Sequence, residues 1–156
     1  MGAGYSGMVL PHAMKFVKGT TSGTFVLANT DYPSSGSYPD VGDCERFFVV
    51  AHLGTVHGSD TVVLTVQQAT AAGGTLTGVS STYAAKTVTA AHNNMFVVFT
   101  VETKKLTEDY HYVAVNVAGA TNGSYADIYF LLPLNEIPVT QTTTVLPAAN
   151  QLEYAG

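Results

Sequence analysis

Five runs of seven or eight residues place apolar side chains at alternate positions: 47–53, 61–68, 95–102, 110–117 and 125–132. That period belongs to a strand with one side buried, and a helix cannot satisfy it. In Thr61 to Gln68, Val62, Leu64 and Val66 share one face while Thr65 and Gln67 share the other. In Tyr110 to Val117, Val113, Val115 and Val117 turn inward against Tyr112, Ala114 and Asn116. Met95 to Glu102 differs, because Val97, Phe99 and Val101 alternate with Phe96, Val98 and Thr100 and both faces are apolar. This pattern predicts a central strand covered on both sides. Phe47 to Leu53 and Thr61 to Gln68, joined by a turn from Gly54 to Asp60, read as an antiparallel hairpin. Asn122-Gly123 tolerates the positive φ of a tight turn and leads into Tyr125 to Leu132, which Pro133 stops.

The remaining segments carry weaker patterns. Thr24 to Ala28 is a short strand candidate, and Asn29 to Gly42 is so dense in Pro, Ser, Gly and Asp that it reads as a long surface loop. Residues 69–93 stay ambiguous, since Gly73-Gly74 breaks regularity and Ala84-Ala85 suits a strand or one helical turn. Lys104 to Asp109 is a polar connector with room for a single helical turn. Before Thr21 no period is sustained, and after Pro138 the run to Pro147 is rich in β-branched residues bounded by prolines. The expected fold is therefore all-β. It is a single β-sandwich or jelly-roll-like domain over 22–137, with an N-terminal arm over 1–21 and an extended C-terminal tail over 138–156. No repeat of 20 to 50 residues suggests a propeller or solenoid.

At 156 residues the chain has the size of one domain with a continuous core. Charged residues are 11% and hydrophobic ones 46%, so the surface is covered largely by Thr, Ser, Asn, Gln and Gly, and self-association, most simply as a homotrimer, is expected to hide apolar area. A formal charge of −5 gives no basic footprint for nucleic acid or for an anionic membrane. No run approaches 18 apolar residues, and Pro11 and His12 interrupt Met8-Val9-Leu10, so neither a membrane span nor a secretory leader is expected. Met1-Gly2 with Ser6 matches a minimal myristoylation pattern that a glycine-rich arm explains as well. Cys44 is the only cysteine, which excludes an internal disulfide and a cysteine-based zinc site.

Candidate chemistry is sparse. Of His12, His52, His57, His92 and His111, only His52 and His57 lie close in sequence, with Asp60 the one carboxylate placed to complete a metal site. Turn histidines explain the pair without a metal, and no cofactor is expected. Asp127 lies inside an apolar run, where it is either a buried acid or a residue alternating outward with Tyr125 and Tyr129, and the period favours the second. A nucleophile elbow and a phosphate-cradling glycine motif are both missing. Nine tyrosines suit sugar stacking or half-wet interfaces. Asn122-Gly123-Ser124 matches a glycan acceptor but reads as a turn.

Four blocks in order carry a likeness: Val66 to Thr75, Val88 to Ala91, Val97 to Glu102, and Leu106 to Val115. Over about residues 45–133 the chain resembles small virion structural proteins of tailed bacteriophages, several of which decorate or cement the head. The resemblance implies a β-rich, often trimeric subunit that is made in the host cytoplasm, binds the outside of the major capsid protein and is not an enzyme. The alternative is a carbohydrate- or receptor-binding module of a tail or spike; a small hydrolase on the same scaffold lacks a converging catalytic set. Scattered apolar residues on the ends, Met8, Leu10 and Phe16 in front and Val145, Leu146, Leu152 and Tyr154 behind, are the expected contacts with neighbouring subunits. The opposing expectation is that both ends cover edges of their own sandwich.

Overall fold

The computed structural model describes residues 14–19, 29–79 and 85–133 of the chain. The strands are β1 (Met14–Lys18), β2 (Asp31–Tyr32), β3 (Arg46–Leu53), β4 (Val62–Ala69), β5 (Thr77–Gly78), β6 (Lys86–Val88), β7 (Phe96–Glu102), β8 (Tyr112–Ala118) and β9 (Ala126–Pro133). Two single 3-10 turns, Ala90–His92 and Thr103–Lys105, complete the regular structure among the described residues. Alternation is visible in the burial of β3, which buries Phe47, Val49, Ala51 and Leu53, and of β9, which buries Ala126, Ile128, Phe130 and Leu132.

Two antiparallel sheets result. One runs β1-β9-β3-β7; the other runs β2-β8-β4, and β5 and β6 share the remaining edge of β4. Buried side chains of both sheets form one continuous cluster, with Phe47, Val49, Phe99, Ile128 and Phe130 meeting Leu64, Val66, Val113, Val115 and Val117. The protein is thus an all-β sandwich. Each fully buried Val, Leu, Ile or Phe contributes on the order of 1.5–3 kcal/mol of transfer free energy, and ordering entropy offsets most of the sum.

The chain changes sheet at every link except those joining β4, β5 and β6. The run 47–53 and the run 61–68 are therefore not a hairpin: β3 pairs with β7 and β9, while β4 pairs with β8, β5 and β6. Their inward faces oppose one another across the core, which satisfies the same alternation. Antiparallel register then gathers the links β3–β4, β6–β7 and β8–β9 at one end of the sandwich, where the Leu53 N–H donates to the Met95 carbonyl and the Tyr125 N–H to the Thr55 carbonyl.

Three further expectations change. Residues 14–18 of the segment read as an arm form β1, with Met14 opposite Pro133 and Lys18 opposite Tyr129. The loop expected over 29–42 contains β2, and Tyr32, Tyr38 and Val41 in it are buried. The strand expected to be central, β7, is an edge strand, paired among the described residues with β3 alone. Thr24 to Ala28 and the segment 138–156 lie outside the described residues.

Candidate functional site

Asp60 closes the β3–β4 link and is 2% exposed. It receives the Ser124 hydroxyl at 2.6 Å, the Asn122 side-chain amide at 2.7 Å and the Thr121 hydroxyl at 3.1 Å. The backbone N–H groups of Thr121 and Asn122 each donate to its Oδ2 at 3.2 Å. Ser124 in turn accepts the His57 N–H at 3.0 Å. Donors on every side hold the Asp60 carboxyl far below the usual carboxylate range, the Ser124 hydroxyl contributing most and burial opposing it. Nearby, Asn93 Oδ1 accepts the Val56 N–H at 2.6 Å and ties the β6–β7 link to the same cluster. This carboxylate joins loops; its acceptor capacity is spent within the protein.

The outward side of the β1-β9-β3-β7 sheet is the second candidate. Cross-strand register sets Leu131, Phe48 and Thr100 in one row, Tyr129, Val50 and Val98 in the next, and Asp127, His52 and Phe96 in the third. Phe16 and Lys18 of β1 share register with Leu131 and Tyr129. On β9, β3 and β7 most of these positions are half-buried by their neighbours, but Phe96 is 65% exposed and Val98 51%, and Met95 just before β7 is 50% exposed. His52 stacks on Phe96 with ring centroids 4.6 Å apart. Burial, and then the negative charge of Asp127, push the Tyr129 hydroxyl above the ordinary tyrosine value. Both faces of this sheet are thus apolar, the inner one packed and the outer one open.

The residues expected to carry chemistry separate accordingly. His52 lies on the outer face and His57 in the β3–β4 link, where its Nδ1 accepts the Ser59 N–H at 3.2 Å. Among the described residues no three His, Cys, Asp or Glu side chains converge on a metal position. Asp127 alternates outward with Tyr125 and Tyr129, as its period indicates. Cys44 is buried and, with Glu45, Arg46, Glu102, Thr103 and Lys104, lines an open depression of about 470 Å³ where β3 and β7 end. Of the expected contact residues, Phe16 belongs to β1, while Met8, Leu10, Val145, Leu146, Leu152 and Tyr154 lie outside the described residues. Sequence reasoning missed the outer face, although its signal was present in the apolar outward positions Phe48, Val50, Phe96, Val98 and Leu131.

No family model matches the chain, and neither the curated proteins nor the solved structures compared with it give a match.

Proposed function

We propose that the protein is a non-enzymatic structural subunit of a virion, a head decoration or cement protein that binds the outside of the major capsid protein and associates with itself, most simply as a homotrimer. The observation that carries this reading is the outer face of the β1-β9-β3-β7 sheet, apolar over three adjacent strands and ending in an edge, β7, that is unpaired among the described residues. Contiguous apolar surface of this kind is what an association interface uses. Symmetry multiplies each such contact over a shell, so a single subunit needs only a modest interface. The strand order supports the reading: with β5 and β6 counted as one edge, we read it as jelly-roll-like, an architecture that capsid and lectin domains share. Because the fold serves both, it does not decide the role.

A carbohydrate- or receptor-binding module of a tail or spike is the second reading. It is favoured by Phe96, which offers an exposed ring beside His52 with Asp127 across the strand, a stacking surface next to a hydrogen-bond acceptor. Electron microscopy of the parent particle separates the two. Density for this subunit over the head lattice is expected; density at the tail tip alone would reject the decoration role and favour the second reading.

A further inference from the structure

The edge of β7 that has no partner among the described residues breaks the rules by which natural sheets protect their edges. From Phe96 to Val101 it has no proline, no charge and no bulge in its pairing with β3. The opposite edge of the same sheet, β1, is shorter and carries Lys15 and Lys18, the usual guards. Hydrogen-bond parity shows which groups the β7 edge presents. The Leu53 N–H bonds to the Met95 carbonyl and the Thr103 N–H bonds to the Glu45 carbonyl, so the odd-numbered residues of this strand face β3. In an antiparallel ladder the alternate residues then turn their N–H and C=O away, and these are Phe96, Val98 and Thr100. The same three side chains lie on the outward apolar face.

We propose that this edge is the docking site for residues 139–146 of a second copy of the chain, added as an antiparallel strand. The segment Val139-Thr140-Gln141-Thr142-Thr143-Thr144-Val145-Leu146 is uncharged, rich in β-branched residues and one residue longer than β7, with prolines on both sides that set where pairing starts and stops. It lies outside the described residues, and the chain enters it from Pro133 at the end of β9. That exit argues for a neighbour as the donor. Pro133 sits at the same end of the sheet as Glu102, two strands away from β7. To reach the far side of β7 a chain must cross three strand spacings, about 14 Å, and also reverse direction. From Pro133 to Val139 there are six Cα steps, at most about 21 Å fully extended, so Leu134 to Pro138 would have to make two right-angle turns as well as run over the ends of β3 and β7, with little slack for both. A tail from another copy has no such limit. The proposal rests on the reading of the protein as an assembling subunit only in needing a second copy, and it requires no capsid.

The test uses single-cysteine additions in the full chain, with the wild-type protein and its buried Cys44 as control. Val98→Cys is mixed with Thr140→Cys, Thr142→Cys or Thr144→Cys, oxidised, and resolved on a non-reducing gel. One mixture is expected to give a cross-linked dimer at least tenfold above either variant alone. Val98→Pro should abolish self-association while keeping a cooperative melt, because the N–H it removes points to the open edge and bonds nothing within the sheet. An equal dimer yield from Val98→Cys alone would mean that two β7 edges pair with each other, and would overturn the proposal. So would no cross-link in any mixture, or a cross-link confined within one chain when Val98→Cys and one of the tail cysteines are placed in the same chain. Each of these outcomes leaves the capsid question to microscopy of the particle, so the two readings fail separately.

Discussion

The Ser124 hydroxyl donates to the Asp60 carboxylate at 2.6 Å, and both residues are buried between the link that follows β3 and the link that precedes β9. This pair holds together two loops that belong to different sheets at their far ends. Because the folded carboxyl is depressed below its unfolded value, its stabilisation is complete above about pH 5. It fades as pH falls through the ordinary carboxylate range toward the lower folded value. Melting followed by circular dichroism from pH 7 to pH 2 should show that decline. Asp60→Asn should lower the midpoint at pH 7 and flatten the curve between about pH 5 and pH 2. An unchanged acid slope in that variant would remove Asp60 as its source.

Gly119 and Gly36 both adopt positive φ, +80° and +90°. Their surroundings differ. A Cβ on Gly119 would run into the Thr61 carbonyl oxygen, whereas a Cβ on Gly36 would meet nothing within 4 Å. Gly36→Ala should therefore cost about 1 kcal/mol from backbone conformation alone. Gly119→Ala should cost a further ~1–3 kcal/mol, since the end of β8 must shift away from the start of β4. Urea unfolding of both variants measures the difference, and equal losses would contradict the steric account.

Alternation made the faces of the strands legible, and this is why the inward residues of β3, β4, β8 and β9 follow from sequence. Partners were not legible, because period 2 is the same whether Phe47–Leu53 pairs with Val62–Gln68 or faces it across a core. The two apolar faces of Phe96–Glu102 suggested a covered central strand. The structure instead leaves Phe96 and Val98 exposed on an edge, a pattern that makes sense when a second molecule supplies the cover. Asp60 was legible only as a candidate metal carboxylate, and its role as a buried loop anchor was not: five donors from residues 121–124 surround it from about sixty positions away, and nothing local marks a turn aspartate as buried. Tyr32 and Tyr38 were hidden in the same manner, as anchors inside a segment whose composition spells turn.

Gln68 is buried at the other end of β4, where its amide nitrogen donates to the Gly78 carbonyl at 3.2 Å and to the Thr107 hydroxyl at 2.8 Å. Its carbonyl accepts the Thr107 N–H at 2.9 Å. Gln68→Glu removes the two donated bonds and sets a carboxylate against the Gly78 oxygen, at a cost of about 2 kcal/mol at neutral pH. The new carboxyl titrates above its unfolded value in that setting, since only the protonated form can donate. The deficit relative to wild type should thus be smallest below about pH 4 and grow as pH rises. A deficit independent of pH would show that the lost geometry, not the charge, is responsible.

Val49 and Val50 are neighbours on β3 with opposite duties. Val49 is fully buried among Phe99, Phe130 and the facing sheet, while Val50 lies outward between Tyr129 and Val98. Val49→Ala opens a cavity in a packed core and should lower stability by about 1–3 kcal/mol without altering association, provided the protein is kept below its melting range. Val50→Lys should lower stability by under about 1 kcal/mol, because a long side chain can carry its charge over the rim of a half-open face. It should nevertheless shift the protein toward monomer in sedimentation at tens of micromolar, since covering an ammonium in the middle of an apolar interface costs more than its one nearby carboxylate, Asp127 on the adjacent strand, returns. If Val50→Lys associates as wild type does, the outer face is not the surface by which copies meet, and the apolar rows on β9, β3 and β7 require another explanation. If Val49→Ala alone dissociates the assembly, association depends on the stiffness of the sandwich and not on what its outer face presents.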